Sequence, residues 1–147
     1  MQKIQADGLP LPQRYGAILT IIIGISMAVL DGAIANVALP TIASDLNATP
    51  ASSIWVVNAY QIAIVISLLT FSFLGDMFGY RRIYKFGLVA FLLSSLLCAL
   101  SDTLQLLTMA RIAQGIGWAA LMSVNTALIR LIYPQRFLGR GMGINSF

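Results

Sequence analysis

The sequence has no histidine, no glutamate and a single cysteine, and only 10% of its residues are charged. Each shortage excludes something. Without histidine, and with Cys98 alone, there is no ligand set for a zinc or haem site, and no cofactor or metal is expected. Cys98 lies inside an apolar run, can close no internal disulfide and reads as a small packing residue. A soluble domain of this length carries about a quarter charged residues. At 10% charged and 59% hydrophobic, the chain is an integral membrane protein with the bilayer as its solvent. A soluble enzyme is excluded on the same ground. The net charge of +4 calls for no nucleic-acid partner, because the basic residues gather at the ends of apolar runs.

What the chain does have is long apolar stretches. Residues 1–14 form a short polar tail. Four all-α membrane spans are expected at about 15–39, 53–74, 83–100 and 103–128. The first is too long for the roughly 7–15-residue core of a cleavable signal, so it is expected to stay as a spanning helix. Ser52 or Ser53 is the expected cap of the second helix, and Ser101-Asp102 marks the turn before the fourth. A fifth helix is expected to begin at about 141. The seven residues from there to Phe147 cannot span a bilayer. The expected architecture is therefore four spanning helices plus the start of a fifth, either a segment of a longer bundle or a truncated product of one.

Lysine and arginine set the orientation. Lys3 and Arg14 lie in the tail, Arg81, Arg82 and Lys85 between helices two and three, and Arg130, Arg136 and Arg140 after helix four. The two opposite loops have none. Eight against zero puts the N-terminus and both basic loops in the cytoplasm of a multi-pass inner-membrane protein.

The ninth basic residue, Arg111, lies inside helix four, and helix one contains a lone acid, Asp31. A carboxylate in hydrocarbon costs roughly 2.5–3.5 kcal/mol, so it needs a partner, a watery cavity or a function. Asp31 lies about 13 Å below Pro40 at the helical rise, Arg111 about 12–13 Å below the Asp102 turn and Gln61 about 12 Å below Ser53. All three should sit near the midplane of a ~30 Å core. Gln114 falls one turn deeper on the Arg111 face, and Asn58 one turn shallower on the Gln61 face. Asn58, Gln61, Gln114 and Asn125, with Asp31, are the expected lining of a substrate cavity. Helix three brings only Ser94, Ser95 and Cys98, and is expected at the periphery against lipid. Gly24 and Ala28 on the Asp31 face of helix one, and Gly115 and Ala119 on helix four, allow close helix approach.

Two roles for the Asp31–Arg111 pair stay open. It is a static ion pair that fixes packing, or a site whose acid titrates. Burial favours the neutral carboxyl and a nearby cation favours the charged one. An acid that loses its arginine, or gains a cationic ligand, changes its proton affinity as the protein changes state. That is the physical requirement for proton coupling.

Residues 73–85 read FLGDMFGYRRIYK. Gly75 and Gly79 permit a tight turn, and Asp76 is expected to form a local ion pair with Arg81 and Arg82, which follow it. At this point the sequence resembles the major facilitator superfamily. LGDMFGYRR is similar to its G-x-L-a-D-r-x-G-r-r signature, matching at Leu74, Asp76, Gly79, Arg81 and Arg82. Ser72 replaces the first glycine, Met77 the arginine after the aspartate, and Tyr80 follows Gly79. Arg111-x-x-Gln114-Gly115-x-Gly117 with Ala119 resembles the helix-four motif R-x-x-Q-G-x-G-a-A, with Trp118 at a position usually small. LDGAIANVALP, with Asp31, Asn36 and Pro40, is similar to the helix-one motif of the fourteen-helix drug:proton antiporters, with Gly32-Ala33 in place of the usual threonine and its neighbour.

The resemblance implies an N-terminal bundle in which the helix-two/three turn braces the cytoplasmic side and the helix-four arginine takes part in proton movement. It implies export of lipophilic cations and other toxic compounds in exchange for protons. It also implies a second half, or other copies, to complete a site between two bundles. A non-transporting membrane piece or assembling subunit is the alternative. A four-helix dimeric multidrug transporter would insert in both orientations, against the charge bias. No ring-forming filter motif suggests a channel.

Overall fold

The structure, a computed structural model, describes residues 10–45 and 48–133. It consists of four helices: α1 (Leu11–Asp45), α2 (Pro50–Phe78), α3 (Tyr80–Ala99) and α4 (Leu104–Ile132). Each is long and apolar enough to cross a membrane. Such helices suit lipid because they satisfy every interior backbone group within the segment. Their hydroxyls do the same: Thr20 bonds the Gly16 carbonyl, Ser94 that of Ala90, Ser101 that of Leu97 and Thr108 that of Leu104.

The helices overrun the expected bounds. α1 continues through Pro40 to Asp45. A proline inside a membrane helix removes one backbone bond but does not oblige the helix to end. α2 starts earlier than expected because Thr49, not Ser52 or Ser53, is the cap. The Thr49 hydroxyl accepts from the Ser52 amide at 3.2 Å, and Pro50 takes the first helical position, where no N–H is needed. α4 is capped in the same way by Thr103, which accepts from the Leu106 amide at 3.2 Å. Between α2 and α3 the turn shrinks to Gly79 alone, at φ +94°. The tail through Leu9, and the segment holding Arg136, Arg140 and the expected fifth helix, lie outside the described residues.

α4 is the central element, packed along both α2 and α3, while α1 touches α2 and α4 more lightly. Two glycines on α4 account for its close neighbours. A Cβ at Gly115 would sit 2.7 Å from the Tyr60 carbonyl of α2. One at Gly117 would sit 2.6 Å from the Phe91 amide of α3. Two residues apart on a helix means nearly opposite faces, so α4 is pinched between α2 and α3. The apolar core lies between α3 and α4, formed by Tyr84, Phe91, Leu121, Val124, Leu128 and their neighbours, with Ile21 of α1 against it. Tyr84 also ties α3 to α1, its hydroxyl donating to the Thr20 carbonyl at 3.1 Å.

Candidate functional site

Arg111 has to meet an acceptor, because a guanidinium offers five N–H donors and is always charged. On α4 its side chain is only 6% exposed. Its Nη1 donates to Asp31 Oδ2 at 2.7 Å and to Gln114 Oε1 at 2.6 Å. Gln114, one turn along α4 and fully buried, turns its other end to Asp31, with Nε2 donating to Oδ1 at 2.8 Å. Each carboxylate oxygen thus receives one donor, from two side chains of one helix. Arg111 can only donate and ionised Asp31 can only accept, so the Gln114 amide has one consistent orientation between them. The Asp31 side chain stays 21% exposed. The acid therefore keeps an open side while the arginine does not.

Two further helices close the site. From α2, the Tyr60 ring lies under the guanidinium, 4.2 Å from its central carbon to the ring centroid. From α3, Ser95 Oγ accepts from Gln114 Nε2 at 2.7 Å, and the Cys98 thiol lies 3.8 Å from Gln114 Oε1. The helix-four motif then has a physical reading. Arg111 and Gln114 make the charge network. Gly115 admits the α2 backbone at Tyr60, and Gly117 admits α3 at Phe91, one turn before Ser95.

Three placements differ from the sequence-based expectation. Helix three is not confined to the periphery. Its outer face is exposed at Leu92, Leu93, Leu96 and Leu97, but Ser95 and Cys98 reach the polar layer. Asn58 and Gln61 do not meet Asp31. They are exposed and line an open groove of about 440 Å³ with Trp55, Ile62, Val65 and Ile66. The inward residues of α2 are instead Val56, Tyr60 and Ala63. Helical rise gave Gln61 the right height but said nothing of its direction around the axis. Asn125 is buried on α4 but lies fourteen residues beyond Arg111, about 21 Å of rise. Nothing is described of the Ala28 and Asn36 side chains.

The helix-two/three turn forms a separate cluster. Asp76 accepts from the Tyr80 hydroxyl at 2.7 Å. Arg81 and Arg82 are exposed on the first turn of α3. Among the described residues neither pairs with Asp76, and Arg111–Asp31 is the ion pair that forms. Of the two partners that sequence reasoning missed, Tyr60 carried a signal: it adjoins Gln61 at the depth where Arg111 needs a neighbour. Ser95 carried none that set it apart from Ser94.

The family model of the Major Facilitator Superfamily matches residues 21–147. Over all 147 residues the chain is 89% identical to the uncharacterized transporter YebQ of Escherichia coli (strain K12), covering 32% of that protein. It is 35% identical, over 92% of its length, to the riboflavin transporter RibZ of Clostridioides difficile (strain 630), covering 30% of it. It is 34% identical, over 90% of its length, to the multidrug export protein EmrB of Haemophilus influenzae, covering 26% of it. The chain spans about a third or less of the length of these relatives.

Proposed function

The chain belongs to the Major Facilitator Superfamily, and from that premise we propose that it works in proton-coupled secondary transport, exporting lipophilic cations in exchange for protons. It is a multi-pass membrane protein; the inner membrane and a cytoplasmic N-terminus are part of the proposal, supported by the charge bias of its loops. The observation that carries the reading is the Asp31–Arg111 ion pair, 2.7 Å long, inside helices that cross the bilayer.

The mechanism follows from what that pair does in its two protonation states. Ionised, Asp31 holds Arg111 and Gln114 by charge-assisted bonds, which are stronger than neutral ones. A proton on Asp31 removes the charge and weakens both. Arg111 then keeps the Tyr60 ring, and the site can open. A lipophilic cation arriving at the exposed side of Asp31 favours the ionised acid and expels the proton. Proton and substrate compete for one carboxylate, which is the minimal chemistry of exchange. Alternating access requires a second bundle facing this one, from further chain or from another copy. Asp76, Gly79, Arg81 and Arg82 at the α2/α3 turn are proposed to brace one face of that movement.

The likeness to a riboflavin transporter favours a second reading, movement of a planar vitamin through the same site. One experiment separates them. In proteoliposomes with an imposed pH gradient, gradient-driven accumulation of tetraphenylphosphonium is expected, and Asp31→Asn should abolish it while leaving the protein inserted. Movement of riboflavin instead supports the second reading. Full cation transport by Asp31→Asn removes the proton assignment.

A further inference from the structure

Ser94 and Ser95 are neighbours on α3 with different bonding. Ser94 donates to the carbonyls of Ala90 at 2.6 Å and Phe91 at 3.1 Å, as hydroxyls in apolar helices commonly do. Ser95 instead accepts from Gln114 Nε2 at 2.7 Å, on a different helix. Gln114 is fully buried, and its two amide hydrogens go to Asp31 and Ser95 while its oxygen takes Arg111 and, more weakly, the Cys98 thiol. Ser95 therefore holds the donor end of Gln114 where Asp31 needs it.

We propose that Ser95 is a positioning residue for the acid–base site at Asp31, acting through Gln114, and that it brings α3 into proton coupling. The inference rests on the reading of Asp31 as the proton site. If the Gln114 amide turned over, its NH2 would face Arg111 Nη1, donor against donor, and its oxygen would face ionised Asp31, acceptor against acceptor. Arg111 and Asp31 oppose that turn only while they are paired. Once Asp31 is protonated and Arg111 shifts, Ser95 is the stronger of the two α3 groups that still hold the amide, the other being the weak thiol donor of Cys98. Losing the anchor lets Gln114 swing away in the protonated state, so its hydrogen bond to the acid must be re-formed as the proton leaves, which disfavours the ionised form. The titratable and charged groups around Asp31 are Arg111 from α4, Tyr60 from α2 and Cys98 from α3. All three remain in a Ser95 variant, so a change in pH response reports on Gln114.

The test is the pH profile of gradient-driven tetraphenylphosphonium transport for Ser95→Ala, Ser95→Val, Ser95→Thr and, as the neighbouring control, Ser94→Ala. Threonine and valine have nearly the same shape and differ in the hydroxyl. Ala and Val at position 95 are expected to move the midpoint to higher pH by about one to two units, the size of one hydrogen bond to a charged form. Thr and Ser94→Ala should keep the parental midpoint. An unmoved midpoint in Ser95→Ala and Ser95→Val, or an equal shift in Ser95→Thr and Ser95→Val, overturns the proposal. Failure of the underlying reading looks different: Asp31→Asn would then keep pH-dependent transport. If a Ser95 variant fails to insert, infrared difference spectroscopy of the Asp31 carboxyl in the inserted ones gives the same comparison without transport.

Discussion

The guanidinium of Arg111 lies 4.2 Å over the ring of Tyr60, so the one buried cation among the described residues is held by a carboxylate on α1 and an aromatic face on α2. The two holds differ in one respect: a proton on Asp31 weakens the first and leaves the second.

The ring, rather than its hydroxyl, should therefore matter. A cation–π contact contributes about 0.5–2 kcal/mol, more when desolvated. Tyr60→Phe is expected to keep transport and thermal stability close to the parental values. Tyr60→Leu is expected to lower the melting temperature in detergent and to slow transport several-fold. Equal behaviour of the two variants would remove Tyr60 from the site.

Breaking the ion pair from one side should hurt more than removing it entirely. Taking away one partner of a buried pair costs roughly 3–5 kcal/mol, because the other charge is left uncompensated. Arg111→Gln alone is expected to lower thermal stability by more than the double variant Asp31→Asn/Arg111→Gln, which restores hydrogen bonding without charge. The double variant should be inserted and stable yet inactive. A double variant no more stable than Arg111→Gln contradicts the pairing.

The pinch of α4 between its neighbours gives a test of packing. At Gly117 an added Cβ would lie 2.6 Å from the Phe91 backbone amide, which cannot move without moving α3. Gly117→Ala is expected to destabilise by about 1–3 kcal/mol, the usual range for overpacking, and to weaken transport by pulling Ser95 from Gln114. At Gly32 there is open space within 4 Å, so Gly32→Ala should be neutral or slightly stabilising, since alanine is the better helix former. Thermal unfolding of the two variants in one detergent checks both.

The link between α2 and α3 rests on one residue in a left-handed conformation. Gly79 has φ +94° and ψ 133°, a region that a side chain strains by roughly 1–3 kcal/mol, and nothing crowds its Cβ direction. Gly79→Ala should therefore act through backbone strain alone. Lower stability is expected, and about equally with Gly79→Ser. A much worse result for serine than for alanine would point to crowding instead.

Much of this was legible from residue types and counting. Four spans follow from apolar length, and the meeting of Asp31 with Arg111 follows from their similar depth below the turns at Pro40 and Asp102. Direction around each helix was not legible. In lipid the outer face of a helix is as apolar as the inner one, so α2 offers no stripe to say that Tyr60 turns inward and Gln61 outward. The same blindness hid Ser95, which differs from Ser94 by 100° of rotation and by nothing in composition. Helix ends escaped for a local reason. Thr49 and Thr103 cap with their hydroxyls, ahead of the serines that drew attention, and Pro40 sits within α1 rather than after it.

The central claim is that a proton and a cationic substrate compete for Asp31. The most direct measurement is proton release from detergent-solubilised protein in weakly buffered, mildly acidic solution on addition of tetraphenylphosphonium. Protons should be released as the cation binds to the parental protein, and none with Asp31→Asn. Cation binding without proton release by the parental protein, or the same release from Asp31→Asn, would contradict the account.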